Sequence, residues 1–243
     1  MDHQWYSILR QLIESKAFPL ARHRCLIWGR EPGTGKSSWG HYQFGADRVE
    51  RIVMHPEVLP DDLLYSIELK AENGGTSTMR ADGPILRAMK QGKIIIIDEI
   101  DKRSPPMESL LHAVLDDLSI AGITLPDGTR ITPEKGFGVV ATSNNLPSAL
   151  GAPLLDRFDL VLQATSPHPD AIGSLRNKGV KAAVENRYGR IAKAEWKADL
   201  TMRRAMAFDK LAQAVDTELA ARCCFGDAWQ DTLNIISAAG SKE

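Results

Sequence analysis

KIIIIDEID, residues 93–101, places four consecutive isoleucines directly before two carboxylates, those of Asp98 and Glu99. Isoleucine is β-branched and favours extended backbone, and an unbroken apolar run is typical of a strand buried on both faces of a parallel sheet. Ligands of open α/β folds bind beyond the carboxyl ends of such strands. The stretch alone leaves two interpretations open: a solvated acidic turn, or a site where the acids act on a metal ion and a water molecule.

A glycine-rich loop lies upstream of this strand. RCLIW, residues 24–28, predicts a short strand that runs into GREPGTGKSS, residues 29–38, and a helix follows. The glycines let backbone N–H groups face phosphates, and the helix N-terminus favours negative charge. Lys36 can then reach the terminal phosphates and Ser37 can bind Mg²⁺. We therefore interpret the loop as nucleotide-binding, with a glycine turn without a ligand as the alternative; the predicted binding residues are Gly33, Thr34, Gly35, Lys36, Ser37 and Ser38.

The composition is that of a globular protein. The chain has 243 residues, of which 43% are hydrophobic and 25% are charged, so one or two domains are expected. Its formal net charge of -1 predicts no global attraction to nucleic acid or to a membrane. No apolar run is long enough to cross a bilayer, and the N-terminus lacks the pattern of a signal peptide. Cys25, Cys223 and Cys224 are predicted to be core or near-core thiols rather than a disulfide or metal site, which favours a cytoplasmic location.

Further elements follow from periodicity and turn signals. An insert at 71–78 is small, polar and turn-prone, and is either a plain exposed loop or a surface that faces a substrate or partner. Residues 107–118 carry apolar side chains at spacings of three and four, which predicts one core-facing helix. The other predicted elements are helices at 5–16, 61–69 and 83–90, strands at 48–54, 136–142 and 160–163, a hairpin at 120–131 around Leu125-Pro126-Asp127-Gly128, and helices from about 171 onward.

Two features allow both a structural and a functional interpretation. Asn144 follows a predicted buried strand, where it either forms a turn or orients a water molecule near a terminal phosphate. Residues 171–210 carry ten Lys or Arg against four Asp or Glu. A solvated helical face explains this local charge, and contact with nucleic acid is the less favoured alternative.

Taken in order, these motifs resemble those of an AAA+ ATPase. Gly33-Thr34-Gly35-Lys36-Ser37 resembles the Walker A loop and Ile96-Ile97-Asp98-Glu99 the Walker B strand, although Arg30 stands where the first Walker A glycine is usual. Val140-Ala141-Thr142-Ser143-Asn144 resembles sensor 1, and Leu155-Asp156-Arg157-Phe158 an arginine-finger segment. Within AAA+, Asp82-Gly83-Pro84-Ile85-Leu86-Arg87-Ala88 and the hairpin before sensor 1 resemble the MoxR branch, near the CbbQ/NorQ and CobS-like ATPases. A loose match to sensor 2 at residues 200–205 leaves open whether Arg203 or Arg204 takes that role.

The resemblance implies a fold and a domain organisation. It implies an α/β P-loop NTPase with a parallel five-stranded sheet flanked by helices, at residues 1–165, followed by a small helical lid at residues 166–243.

The resemblance also implies roles for single residues. ATP and Mg²⁺ would be the ligands, with Lys36 on the phosphates and with Ser37 and Asp98 on the metal. Glu99 would polarise the attacking water and Asn144 would align it. Arg157 would complete the site of a neighbouring subunit and Arg203 would sense the nucleotide.

A finger that acts in trans requires a ring, usually of six subunits. The implied activity is ATP hydrolysis that remodels a separate protein, in this family often one with a von Willebrand A-type domain. The alternatives are a nucleic-acid-acting AAA+ ATPase and a nucleotide-gated scaffold with weak hydrolysis.

Overall fold

The computed structural model describes residues 5–14, 24–72, 75–117, 119–191 and 200–241. In these ranges strands and helices are mixed up to Gln163, and only helices follow. The strands are β1 (Arg24–Trp28), β2 (Val49–Val53), β3 (Tyr65–Glu72), β4 (Gly75–Asp82), β5 (Ile94–Asp98), β6 (Ile123–Thr124), β7 (Arg130–Ile131), β8 (Gly138–Ser143) and β9 (Leu160–Gln163). The helices are α1 (Trp5–Glu14), α2 (Lys36–Phe44), α3 (Pro60–Leu64), α4 (Pro84–Gln91), α5 (Pro105–Val114), α6 (Ala152–Leu155), α7 (Pro169–Gly173), α8 (Lys178–Ile191), α9 (Met202–Leu211), α10 (Thr217–Phe225) and α11 (Trp229–Gly240).

Five strands form one parallel sheet in the order β2-β5-β8-β1-β9. The isoleucine strand β5 lies between β2 and β8, and every one of its residues is buried. The carboxyl ends of β5 and β8 lie side by side, because Ile97 pairs with Ala141, and the end of β1 adjoins that of β8, because Trp28 pairs with Ser143. The parallel five-stranded α/β fold predicted from the sequence is confirmed, and three strand ends meet at one edge.

Chain contacts divide the molecule into two compact units. One contains Ser7–Arg30 and Lys36–Gln163, and with them all the strands named above. Its core joins the sheet to α4 and α5, and includes Ile85, Ile95, Ile97 and Leu111, each fully buried.

The second unit contains Met1–Tyr6, Glu31–Gly35 and Ala164–Glu243. Its helices α8 to α11 enclose a separate core that includes Val184, Phe208, Phe225 and Ile236. The division into domains after residue 165 that the sequence suggests stays a prediction.

The segment between β2 and α4 differs from the sequence-based expectation. The predicted helix at 61–69 is wrong beyond Leu64, because β3 begins at Tyr65. The predicted loop at 71–78 is wrong at 71–72 and 75–78, which belong to the antiparallel strands β3 and β4, whereas 73–74 lie outside the described residues. The register runs from Tyr65 paired with Asp82 to Glu72 paired with Gly75. YSIELKAE, residues 65–72, alternates apolar and polar residues with the period of a strand, and Asn-Gly at 73–74 is a common hairpin turn dipeptide.

Other local predictions hold. The hairpin predicted at 120–131 is present, since Ile123 of β6 pairs with Ile131 of β7. Met107, Leu110, Leu111, Val114 and Leu115 are buried, as the helical spacing predicted, whereas residue 118 of that stripe lies outside the described residues.

The cysteines divide by exposure. Burial of Cys25 raises the pKa of its thiol. Cys224 is partly exposed, but Cys223 is exposed, so the expectation of a near-core thiol is wrong there. The side chains of α10 that face its core are Ala220, Ala221 and Phe225, which leaves Cys223 on another face of the helix.

Candidate nucleotide-binding site

The phosphate-loop lysine is held by the strand that precedes the loop. Lys36 is the first residue of α2 and is 7% exposed. Its Nζ donates a hydrogen bond of 3.0 Å to the carbonyl oxygen of Gly29, directly after β1. The N–H of Gly29 in turn donates to the carbonyl of Ser143, at the end of β8. The ammonium group therefore lies at the edge of the sheet where the carboxyl ends of β1 and β8 meet.

The loop glycines have backbone conformations that side chains disfavour. Gly33 and Gly35 have φ angles of 78° and 89°. A Cβ atom at Gly33 would lie 3.1 Å from the backbone nitrogen of Arg203, a residue of the same unit. Glycine is therefore required at Gly33 by both its dihedral angle and the space around it.

Asp98 ends β5 and is the most extensively bonded carboxylate at this edge. Its side chain is 4% exposed. Its Oδ1 accepts hydrogen bonds from the hydroxyl groups of Ser37 and Thr142, the latter at 2.8 Å. Its Oδ2 accepts from Nε of Arg51 at 2.6 Å, and the second guanidinium nitrogen of Arg51 lies equally close. The predicted metal ligands Ser37 and Asp98 are thus in direct contact.

The oxygen atoms around Asp98 suit Mg²⁺. This ion usually binds one or two protein carboxylates and completes its shell with water and with phosphate oxygens of the substrate. A buried carboxylate next to the hydroxyl of Ser37, which directly follows the phosphate-loop lysine, provides that donor set. The residues present therefore fit the metal that the sequence predicted.

Glu99 differs from its neighbour in backbone and exposure. Its φ angle of 56° makes it the one non-glycine residue with positive φ in the described part of the chain. Its backbone N–H donates to the hydroxyl of Thr142 at 3.4 Å, and its side chain is 36% exposed. Nζ of Lys102 lies 2.6 Å from its carboxylate, and this hydrogen bond raises the pKa of Lys102. The left-handed backbone conformation of Glu99 turns the chain at the end of β5. The carboxylate of Glu99 reaches solvent, where a water molecule can approach it.

The two asparagines that follow β8 have different contacts. Asn145 donates from Nδ2 to a carboxylate oxygen of Asp101 at 2.8 Å, and its backbone N–H donates to the hydroxyl of Ser143. Asn144 is partly exposed, and its side chain makes no hydrogen bond to the described residues. Asn144 therefore remains available to a ligand or a water molecule, whereas Asn145 ties the end of β8 to the turn after β5.

The candidate arginine finger lies in the turn after α6. The N–H of Arg157 donates to the carbonyl of Leu154, which closes the turn. The side-chain Nε of Arg157 is buried and has no hydrogen-bond partner among the residues that the structure describes. Its neighbour Phe158 belongs to the core of this unit. The backbone of Arg157 is therefore fixed by the turn, while its Nε lacks a partner among the described residues.

The second unit brings basic residues to the phosphate-loop segment that it contains. Arg203 is exposed and lies at the start of α9, whereas Arg204 is partly exposed. Arg187 of α8, which sequence reasoning missed, forms a 2.6 Å ion pair with Glu31 of the loop, and its side chain is only 8% exposed. The backbone contact between Gly33 and Arg203 favours Arg203 over Arg204 as the residue next to the loop.

Thr142 and Arg51 were also missed by sequence reasoning. Thr142 lies in the sensor 1 segment, level with Asp98 on the neighbouring strand, so knowledge of the strand order, which was not predicted, would have pointed to it. Arg51 lies on β2, where nothing in the local sequence separates it from an ordinary solvated arginine. None of the helices in the described ranges combines the length and the apolar composition that crossing a membrane requires.

Comparison with known families identifies the class of this protein. Residues 25–158 match the family described as AAA domain (dynein-related subfamily), which is more than half of the 243 residues. The chain therefore belongs to this family of AAA+ ATPases.

Curated relatives match a shorter segment. An uncharacterized protein of Staphylococcus saprophyticus is 38% identical over 74 residues, which is 30% of this chain and 27% of that protein. An uncharacterized protein of Staphylococcus aureus is 39% identical over 80 residues, 32% of this chain and 29% of that protein. The chain thus spans less than a third of the length of these relatives.

Solved structures support the fold over most of the chain. The Thermotoga maritima RuvB Holliday junction branch migration motor is 20% identical, with a TM-score of 0.54 over 96% of this chain and 68% of that chain. NtrX from Brucella abortus in complex with ATP is 15% identical, with a TM-score of 0.54 over 89% of this chain and 53% of that chain. At such identities the similarity concerns the fold.

Proposed function

We propose that this protein is an ATP-binding and ATP-hydrolysing AAA+ motor of the MoxR type that assembles as a ring, with six subunits as the usual number, and remodels a separate partner protein. The observation that carries the hydrolytic part is the Asp98 carboxylate, buried at the end of β5 and bonded to Ser37 directly after the phosphate-loop lysine. Membership of the AAA family supports it. The partner and the ring rest on the MoxR resemblance of the sequence.

The proposed mechanism uses charge neutralisation and positioning, which carry most of the catalysis in phosphoryl transfer. Lys36 and the loop N–H groups would bind the β- and γ-phosphates of ATP. Ser37 and Asp98 would hold Mg²⁺, directly or through water. When bound, the ion would neutralise phosphate charge that develops during the reaction.

Glu99 is proposed to accept the proton of the attacking water. Its carboxylate reaches solvent, and both partners of its ion pair with Lys102 are partly exposed, so water competes with the pair readily. Asn144 would align the same water molecule with its unbonded amide group. In this proposal the buried Asp98 binds the metal, and the partly exposed Glu99 activates the attacking water.

Two arginines are proposed to act on the nucleotide from further away. Arg157 would contact the γ-phosphate of the neighbouring subunit, where an arginine finger acts in AAA+ rings. Arg203 would report bound nucleotide to the C-terminal helices. Two observations support this: Arg203 is exposed, and Nε of Arg157 has no hydrogen-bond partner among the described residues.

The test of the hydrolytic proposal is Glu99→Gln. The variant is expected to bind ATP with unchanged affinity, since the phosphate contacts remain, and to turn over about 10²-fold more slowly or worse, since a general base contributes at least that much. Phosphate release and calorimetric titration with ATP measure the two effects. The matched control is Glu57→Gln, at an exposed carboxylate beyond β2, which should hydrolyse ATP at the wild-type rate. Normal turnover of Glu99→Gln would reject the assignment.

The output of the motor needs a separate experiment. In a pulldown with ATP present, the Glu99→Gln variant is expected to retain a protein partner. We expect that partner to contain a von Willebrand A-type domain. That protein, once purified, should stimulate the wild-type ATPase. Stimulation by DNA or RNA with a steep salt dependence would instead favour a nucleic-acid motor. Slow turnover with nucleotide-dependent assembly would favour a scaffold.

A further inference from the structure

Arg51 supplies the positive charge that faces the buried carboxylate of Asp98. The residue lies on the edge strand β2, and its side chain is 49% exposed, whereas that of Asp98 is 4% exposed. Nε and one terminal nitrogen of Arg51 each lie 2.6 Å from Oδ2 of Asp98. Nε donates a hydrogen bond to this oxygen and the terminal nitrogen adds an ion-pair contact; charge-assisted hydrogen bonds of this kind are stronger than neutral ones. The carboxylate at the end of β5 is therefore paired with an arginine from the adjacent strand β2.

With this pairing, both oxygens of Asp98 accept hydrogen bonds from the chain. Hydroxyl groups of Ser37 and Thr142 donate to Oδ1, and Arg51 takes Oδ2. Burying a carboxylate without a compensating positive charge is strongly unfavourable. Because the two hydroxyl donors are neutral, they do not provide that charge. Arg51 thus provides the positive charge opposite Asp98 when no metal is bound.

A divalent cation at Asp98 would bring a second positive group to the same carboxylate. Two positive charges a few ångströms apart in a partly buried site repel each other, so the ion and the guanidinium compete for Asp98. Phosphate oxygens change this balance because they add negative charge on the far side of the ion. Arg51 is long, half exposed and on an edge strand, so it can turn outward into water when it is displaced.

We propose that Arg51 is an exchangeable counterion of Asp98: it occupies the carboxylate in the empty site, lowers the affinity for the metal alone, and yields Asp98 when metal and nucleotide enter together. The inference rests on the proposed function, since it takes Asp98 and Ser37 to be the metal ligands. Arg51 acts through Asp98 and is a positioning residue. Its effect is to make metal binding depend on nucleotide.

The test measures Mn²⁺ binding by electron paramagnetic resonance, since Mn²⁺ shares the oxygen preference of Mg²⁺. Arg51→Met keeps a long apolar stem and removes the charge. It is expected to bind Mn²⁺ alone about tenfold or more tightly than wild type, a gain that corresponds to the removal of one competing charge. With the non-hydrolysable analogue AMP-PNP present, the difference between variant and wild type should shrink.

Two further variants make the result specific. Arg51→Lys keeps the charge but loses the fork, so its Mn²⁺ affinity should lie between those of wild type and Arg51→Met. Arg87→Met is the matched control, because Arg87 is also a half-exposed arginine, 39% exposed, that pairs with a carboxylate, that of Glu50 at 2.9 Å. Its Mn²⁺ affinity should equal that of wild type. Circular dichroism of each variant reports whether the fold is retained.

The outcomes separate this inference from the proposed function. If wild type binds Mn²⁺ with AMP-PNP and folded Arg51→Met shows the wild-type affinity for Mn²⁺ alone, the exchange is rejected and the metal site stands. If Arg51→Met does not fold, folded Arg51→Lys decides, and an unchanged affinity there also rejects the exchange. If wild type does not bind Mn²⁺ with AMP-PNP, the metal site and the exchange both fail.

Discussion

The carboxyl end of β5 and the turn that follows α6 belong to the same unit but differ in how their polar groups are satisfied. At the end of β5, both oxygens of Asp98 accept hydrogen bonds from residues of the chain. In the turn after α6, the buried Nε of Arg157 has no partner among the described residues. Buried donors without partners are uncommon in folded proteins and call for an explanation. The donors to Asp98 therefore come from residues of this chain, whereas the described residues offer no hydrogen-bond partner to Nε of Arg157.

The largest effect on ATP hydrolysis is expected from Arg157→Ala. If Arg157 completes the site of a neighbouring subunit, ATP hydrolysis should fall about 10³-fold or more, the usual contribution of an arginine finger. Phosphate release is measured at concentrations where the protein assembles. Arg48→Ala, at an exposed arginine before β2, should keep the wild-type rate.

Mixing two inactive variants tests whether Arg157 acts in trans. Arg157→Ala retains Glu99, and Glu99→Gln retains Arg157, so a mixed assembly contains some sites with both groups. Such a mixture should recover part of the activity if the arginine serves a neighbouring subunit. Full activity of Arg157→Ala alone, or no recovery in the mixture, would contradict that arrangement.

A smaller effect is expected from Thr142→Val, which removes one of the donors to Asp98 without changing side-chain shape. Thr142 is 3% exposed and bonds Oδ1 of Asp98 at 2.8 Å. A hydrogen bond to a charged group contributes about 1–3 kcal/mol, so the free energy of unfolding in urea should fall by about that amount. The same change at the exposed Thr124 of β6 should stay within about 0.5 kcal/mol. Equal values for the two variants would mean that Asp98 does not depend on its internal donors.

The smallest effect is expected from Gly33→Ala in the phosphate loop. Its φ angle of 78° costs an alanine about 1–2 kcal/mol. The added Cβ would also lie 3.1 Å from the backbone nitrogen of Arg203. Thermal unfolding should therefore show a lower melting temperature, and calorimetry a weaker affinity for ATP. Gly173→Ala is the control, because a Cβ there meets nothing within 4 Å. A Gly33→Ala variant as stable as the control would show that the loop adapts without strain.

Sequence patterns were most informative where one residue type repeats or stands at a fixed spacing. The isoleucines of β5 predicted a strand buried on both faces, and each is buried. Gly-Thr-Gly-Lys-Ser predicted a loop that leads into a helix, and α2 begins at Lys36. These signals are local, since backbone preference and burial pattern are properties of consecutive residues. The same kind of signal was overlooked at 65–72, where alternation indicated a strand.

Contacts between strands could not be predicted in the same way. Arg51 and Asp98 are 47 residues apart, and Thr142 and Asp98 are 44 apart. Their contacts depend on the order of β2, β5 and β8 in the sheet and on a register that places Val53 opposite Asp98. A shift of one residue in either pairing would turn these side chains to the other face.

The family, the buried strand and the two acids at its end could be predicted from the amino-acid sequence, because each is encoded in a short run of residues. The surroundings of the two acids depend on how distant segments pack together. The tertiary structure buried Asp98 between two hydroxyl donors and Arg51, and it gave Glu99 a left-handed backbone and a carboxylate that reaches solvent. Adjacent residues of the same charge thereby acquired different environments, since the environment of a side chain is set by the strands and turns packed around it.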